Sequence, residues 1–193
     1  MSSTTRSAPR RAARAVLDAA GAAASWLQVT SLARRSCGRG VTVLDIDNTL
    51  ADTWPSYHRR WTSENDRLSS LPALPGMKGA AYDAAVRRGD VVVFLSRRNW
   101  WHWPLTRRWL RRNGFSATVA NLVLVTQAAD KVNHLRRLTE SADTVVYWDD
   151  LSHGHEDGRA RRYEAVIRQV LTLDLDYRDA EEIEAIVTAA GGR

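Results

Sequence analysis

Four short runs of aliphatic and β-branched residues, at about 41–45, 91–95, 121–125 and 143–148, are separated by stretches with helical periodicity. Apolar runs of this length bounded by turn residues read as buried strands, and the patterns at about 76–89, 104–113 and 129–139 read as helices. Pro75-Gly76 precedes the first helical pattern and Gly89 ends it, while Pro104 opens the second and Gly114 closes it. Those positions suit helix starts and stops. Strands alternating with helices predict an α/β chain with a doubly wound parallel sheet. Residues 160–190 add a further helix, an acidic strand or turn near Leu171–Tyr177, and a terminal helix from Asp179.

Polar residues gather where the apolar runs end. Val41-Thr42-Val43-Leu44 leads into Asp45-Ile46-Asp47-Asn48-Thr49, and Val91-Val92-Val93-Phe94-Leu95 ends at Ser96. Ala128-Ala129-Asp130 leads into Lys131, and Val145-Val146-Tyr147-Trp148 ends at Asp149-Asp150. Loops leaving the carboxyl ends of parallel strands form the crevice where such sheets bind ligands. Taken singly, each residue has a structural explanation: Ser96 an N-cap, Lys131 a solvated helix position, Asp149-Asp150 a capping pair.

As an ordered set over about residues 41 to 151, these positions resemble the haloacid dehalogenase-like phosphohydrolase superfamily. Its four motifs are D-x-D-x-T, a Ser or Thr after the second core strand, a Lys, and a terminal acidic pair. Receiver domains use similar residues, but their acidic pair lies on the first strand and their phosphorylated Asp on the third, which is the wrong order here. The resemblance implies a Rossmann-like core with a short helical insert after the first strand, and phosphate-ester hydrolysis through an aspartyl-phosphate. Asp45 is then the nucleophile, as carboxylates are in aspartyl-phosphate enzymes, and Asp47 the general acid and base. Ser96 and Lys131 hold the transferring oxygens. Carboxylate oxygens from Asp45, Asp149 and Asp150 suit Mg²⁺, and the family adds the backbone carbonyl at the Asp47 position. Which of Asp149 and Asp150 touches the metal stays open. The presence of Asp47 favours ester hydrolysis over dehalogenation.

Arg97 and Arg98, next to Ser96, are the candidates for substrate contact within a segment, Arg87 to Arg112, that holds eight Arg and one Asp. Asn99-Trp100-Trp101-His102-Trp103 follows. Trp100 is a candidate stacking platform for a sugar or base, whereas Trp109 reads as core. Ser96-Arg97-Arg98, Thr106, Trp109-Leu110 and Gly114-Phe115 also look like small phosphatases related to polynucleotide 3′-phosphatases. His153-Gly154-His155-Glu156 reads as a polar loop rather than a transition-metal site. Only about 25 residues separate Thr49 from Pro75, enough for a short cap insert over about 50–75 and an open site.

Charge places the remaining expectations. Residues 1–40 hold seven Arg and one Asp, which accounts for the net charge of +6; the other 21 basic and 21 acidic residues cancel. The chain therefore divides into a basic, partly helical N-terminal arm (1–40, with a helix from Pro9 through Leu32) and a phosphatase-like domain (41–193). A transit peptide is an open alternative for the arm. Cys37 alone provides no disulfide framework and fits a reducing, cytoplasmic setting, and no run of about 18 apolar residues is present to span a membrane. The leading function is a Mg²⁺-dependent phosphomonoesterase on a phosphorylated small molecule such as a sugar phosphate. Nucleic-acid end processing and a binding or scaffold role are the alternatives.

Overall fold

A computed structural model describes residues 8–155 and 158–191. Residues 1–7 of the basic arm and Glu156 of the His-rich segment lie outside the described residues.

Five parallel strands form the central sheet: β1 (Gly40–Leu44), β2 (Val91–Arg97), β3 (Leu122–Val125), β4 (Thr144–Trp148) and β7 (Asp176–Arg178), in the order β3-β2-β1-β4-β7. Two short strands, β5 (Ser152–His153) and β6 (Arg161–Arg162), pair antiparallel as a separate hairpin. Val41 through Leu44 are all buried, because helices cover both faces of the sheet, as parallel sheets require. One face packs Phe94, Trp109, Phe115 and Leu122 with Ile183 and Val187. The other packs Val41, Val43, Val93 and Tyr147 against Leu135, Leu138 and Val170.

The connecting helices lie close to the predicted positions: α4 (Trp103–Arg112), α5 (Asp130–Thr139), α6 (Glu164–Val170) and α7 (Ala180–Ala189). Asp179 caps α7 by accepting from the backbone N–H groups of Glu181 and Glu182. The pattern at 76–89 divides into a π-helical turn, Lys78–Asp83, followed by α3 (Ala84–Arg88), which ends at Gly89 with φ of 80°. The insert after β1 consists of a 3-10 turn (Trp54–His58) and α2 (Glu64–Ser69), whose N-cap Ser63 accepts from Asp66 N–H. Leu68, Leu71 and Leu74 carry it into the core, and Trp109 Nε1 donates to Leu71 O at 2.8 Å. The insert is a packed wall.

The predicted boundary at residue 40 does not separate two units. A single helix, α1 (Ala8–Arg35), runs to within a few residues of β1, and Val29, Leu32 and Ala33 are buried in the same cluster as Val41 and Val43. Gln28 Nε2 and Arg35 Nη2 donate to the carbonyls of Val119 and Ala120. The arm's second half is therefore part of the domain, held by apolar burial that its Arg-rich composition obscures. No helix among the described residues is long and apolar enough to cross a membrane.

Candidate active site

The sheet order reverses direction between β1 and β4, since the chain winds outward from β1 through β2 to β3 and then returns to β4 on the other side. A crevice opens at the carboxyl ends of strands flanking such a switch point. Asp45 follows β1, and Asp149-Asp150 follows β4. The two acidic motifs meet for that reason: Asp45, Asp149 and Asp150 each bring a carboxylate oxygen within 4.8 Å of the others.

Lys131, in the first turn of α5, reaches into this group. Its Nζ lies 2.5 Å from Asp149 Oδ2 and 3.0 Å from Asp45 Oδ1. All three side chains are buried, and a buried lysine is expected only with such partners. Asp149 also accepts hydrogen bonds from Tyr147 Oη and, at 2.8 Å, from Leu151 N–H. Tyr147 and Asp149 are two residues apart at the end of one strand, and period-2 alternation puts them on one face. That is the signal by which the sequence could have assigned Tyr147 to the site.

Three carboxylates share one ammonium here, so full ionisation leaves two negative charges uncompensated in a buried space. Burial and then the Asp149 charge push Asp45 up to about 8 in spite of Lys131, and the same two causes push Asp150 up to about 7. Asp45 Oδ1 is buried, and the Lys131 ammonium, 3.0 Å away, is shared with Asp149. Hard oxygen donors and crowded negative charge together fit a divalent cation such as Mg²⁺.

Asp47 lines the same pocket. Arg98 Nε and Nη2 donate to its two oxygens at 2.8 and 2.7 Å, and Thr53 Oγ1 donates at 2.9 Å. Burial opposes ionisation, but the Arg98 charge and these hydrogen bonds outweigh it and hold Asp47 at about 2. The side chain of Asp47 is thus an ionised carboxylate paired with Arg98, outside the Asp45–Asp149–Asp150 group. Ser96 lies within β2 rather than beyond it, and its Oγ is 3.5 Å from Asp47 Oδ2.

The two candidate arginines separate. Arg98 is buried and spends its guanidinium on Asp47 and on Thr106 Oγ1, so its place is behind Asp47 and not toward substrate. Arg97 is exposed at the pocket mouth, where Nη1 donates to Tyr163 Oη at 2.8 Å. Trp100 does not line the acidic pocket; its indole packs beside Gly21 of α1. Trp103 Nε1 donates to Leu122 O, and Trp109 is core, as expected.

Other residues shape the rim. Asn48 and Leu151, immediately after the two acidic motifs, have φ of 55° and 41°. Asn tolerates the left-handed region, but for Leu it is strained, and such strain concentrates where a loop must hold functional groups. Asn48 Nδ2 meets His155 Nε2 at 2.9 Å, and Asn48 Oδ1 accepts from Trp54 N–H. His155 also stacks on Tyr57 and meets Ser152 Oγ at 2.6 Å, tying the hairpin to the insert. Gly154, at φ of 78°, passes so close to Arg159 O that a Cβ would sit 2.8 Å away. The cavity over Asp45 holds about 90 Å³, room for roughly three waters' share of liquid volume. No family model, no curated protein and no solved structure matches this chain.

Proposed function

We propose that this protein is a phosphomonoester hydrolase of the haloacid dehalogenase-like type, dependent on Mg²⁺ and acting through an aspartyl-phosphate on Asp45. The observation that carries the reading is the meeting of Asp45, Asp149 and Asp150 around Lys131, with Asp47 and Ser96 facing the same small cavity. Its size matches a phosphoryl group and leaves the rest of the substrate outside.

Asp45 attacks phosphorus in line, and the bond to the leaving oxygen breaks with its electron pair moving to that oxygen. Lys131 and the Ser96 hydroxyl stabilise charge on the equatorial oxygens. Mg²⁺, held by Asp45, Asp149, Asp150 and the Asp47 carbonyl, would neutralise the phosphate that otherwise repels the carboxylate nucleophile. Asp47, ionised beside Arg98, is ready as the base that takes a proton from water when the aspartyl-phosphate is hydrolysed. To serve as acid in the first step it must carry a proton, which its pairing with Arg98 resists. Substrates with good leaving groups are therefore favoured in the first half-reaction. The substrate is a phosphorylated small molecule.

The test is phosphate release from a panel of sugar phosphates, nucleotides and 3′-phosphorylated oligonucleotides, with Mg²⁺ or EDTA. Turnover that needs Mg²⁺ is expected, with a single phosphoryl adduct trapped in acid and absent from Asp45→Asn. An adduct that persists in Asp45→Asn refutes the assignment of the nucleophile.

A second reading, nucleic-acid end processing, draws on α4. There Arg107, Arg108, Arg111 and Arg112 border a surface groove with Trp103, and no ion pair among the described residues engages them. Oligonucleotide affinity that falls steeply with salt supports it, and absence of binding at low salt removes it.

A further inference from the structure

Asn48, Asp150, Ser152 and His155 line two hollows at once: the acidic pocket and a second one of about 260 Å³ that Trp54, Ile183 and Val187 border. These four side chains form a partition between the two. A side chain with open space beside it forgoes contacts on that side, so packing alone does not fix its direction. For Asp150 that task falls to hydrogen bonds. Its neighbour Asp149 is differently placed, fixed by Lys131, Tyr147 Oη and the Leu151 N–H.

His155 gathers the bonds that reach Asp150. Asn48 Oδ1 accepts from Trp54 N–H at 3.1 Å, which orients the amide and turns Nδ2 toward His155 Nε2, 2.9 Å away. Nε2 is therefore an acceptor, and the ring proton sits on Nδ1. Ser152 Oγ lies 2.6 Å from the same Nε2 and donates to Asp150 Oδ2, so one hydroxyl hydrogen is shared between imidazole and carboxylate. Asn48 hydrogen-bonds the Asp150 side chain as well. Two residues from different loops, Asn48 after β1 and Ser152 after β4, thus meet at Asp150, and a single ring nitrogen ties them together.

The ring is itself held by the insert. Trp54 meets it edge-on with centroids 4.7 Å apart, and Tyr57 stacks on it at 6.0 Å. His155 is buried, yet it lies outside the group of carboxylates whose oxygens converge within 4.8 Å.

We infer that His155 is a positioning residue for the divalent cation: through Asn48 and Ser152 it aims the Asp150 carboxylate at the metal, and it makes the insert a support of the metal site. The inference rests on the metal site of the phosphatase reading and not on the reaction, since cation binding needs no turnover. Hydrogen-bond partners of a metal ligand set its direction, and their loss costs about 10–100-fold in metal affinity.

The experiment is calorimetric titration of the full chain with Mg²⁺ and with Mn²⁺ in the absence of substrate, with thermal melts to establish that each variant is folded. His155→Phe keeps a ring against Trp54 and Tyr57 but removes Nε2, whereas His155→Gln gives up the ring and returns an amide oxygen able to accept. A loss of about tenfold in affinity is expected for His155→Phe, at the lower end of that range, with most of it recovered in His155→Gln. Packing alone predicts the opposite order. Wild-type affinity in His155→Phe, or an equal loss in both variants, overturns the proposal. In the Asp150→Asn background His155→Phe is expected to cost nothing further, because such a cycle isolates the coupling between two positions; a second tenfold loss there overturns the route through Asp150. Ser152→Ala leaves the ring in place and is expected to lose affinity as His155→Phe does, so it decides the question if His155→Phe is unfolded. Retained affinity in Ser152→Ala counts against the same route. A wild-type chain that binds neither cation removes the metal from the proposed function and this inference with it, whereas binding indifferent to His155 removes the inference alone.

Discussion

Asp47 and Arg98 form the pair on which the proposed chemistry turns. Their bidentate contact, at 2.7 and 2.8 Å, makes Asp47 a dependable base and a reluctant acid. In Asp47→Asn, hydrolysis of an alkyl phosphate is expected to fall by roughly 10²–10⁴-fold, the usual reach of general acid–base catalysis. Formation of the aspartyl-phosphate from p-nitrophenyl phosphate should fall much less, because a phenolate leaves without a proton. Single-turnover burst measurements on the two esters check this, and equal losses on both would remove the acid role. The acidic pair offers a second division. Asp149 holds Lys131, Tyr147 Oη and the Leu151 N–H, whereas the Asp150 carboxylate accepts from Ser152 Oγ and its backbone N–H donates to Thr49 Oγ1. Asp150→Asn is expected to raise the Mg²⁺ concentration needed for half-maximal activity with little change in melting temperature. Asp149→Asn should lower both metal affinity and stability, since it removes the nearer of the two carboxylates paired with buried Lys131. Metal titrations and thermal melts of the two variants separate the roles.

At the scale of elements, α1 and α5 meet through a contact that responds to pH, between Ser25 Oγ and His134 Nε2 at 3.2 Å. Burial lowers the His134 pKa from its usual 6.5, with Asp130 opposing weakly. The unfolded chain therefore takes up this proton first as pH falls, and the stability that neutral His134 contributes is present above about 6.5 and lost as pH drops through the folded-state value. Asp45 and Asp150, raised by burial, act in the opposite sense, so the informative quantity is the difference between wild type and His134→Gln. That difference in denaturant-derived stability is expected to be largest near pH 7.5 and to shrink toward pH 5.5; a constant difference removes His134 as the titrating group. The strands of the sheet and the helices after them were legible because buried parallel strands leave uninterrupted apolar runs and their helices are punctuated by Pro and Gly. Asp45, Lys131 and Asp149 meet as the motif order implies. The direction of Arg98 was not legible: adjacent residues at a strand end point to opposite sides, and nothing in Arg97-Arg98 says which one turns inward to Asp47. The left-handed backbone at Leu151 carries no sequence signal at all, as a leucine there is held by its surroundings.

The whole molecule depends on a helix that charge alone would set aside. With seven Arg and one Asp in residues 1–40, the N-terminal region resembles a detached basic arm, yet burial is decided by which positions are apolar on one face. Val29, Leu32 and Ala33 meet that condition and close the face of the sheet made by Val41, Val43 and Val93. Without α1 that face would meet water, an apolar area of the kind that drives association. Leu32, 1% exposed, reports on this docking, and Val16, 68% exposed on the same helix, is the control. Leu32→Ala is expected to cost ~2–5 kcal/mol, as for other buried leucines, and to lower the melting temperature by about 4–20 °C at this chain length. Val16→Ala should stay within about 0.5 kcal/mol of wild type, as substitutions at exposed positions do. Differential scanning calorimetry on the pair decides the matter. Equal melting temperatures for both variants and the wild type would mean that α1 does not dock.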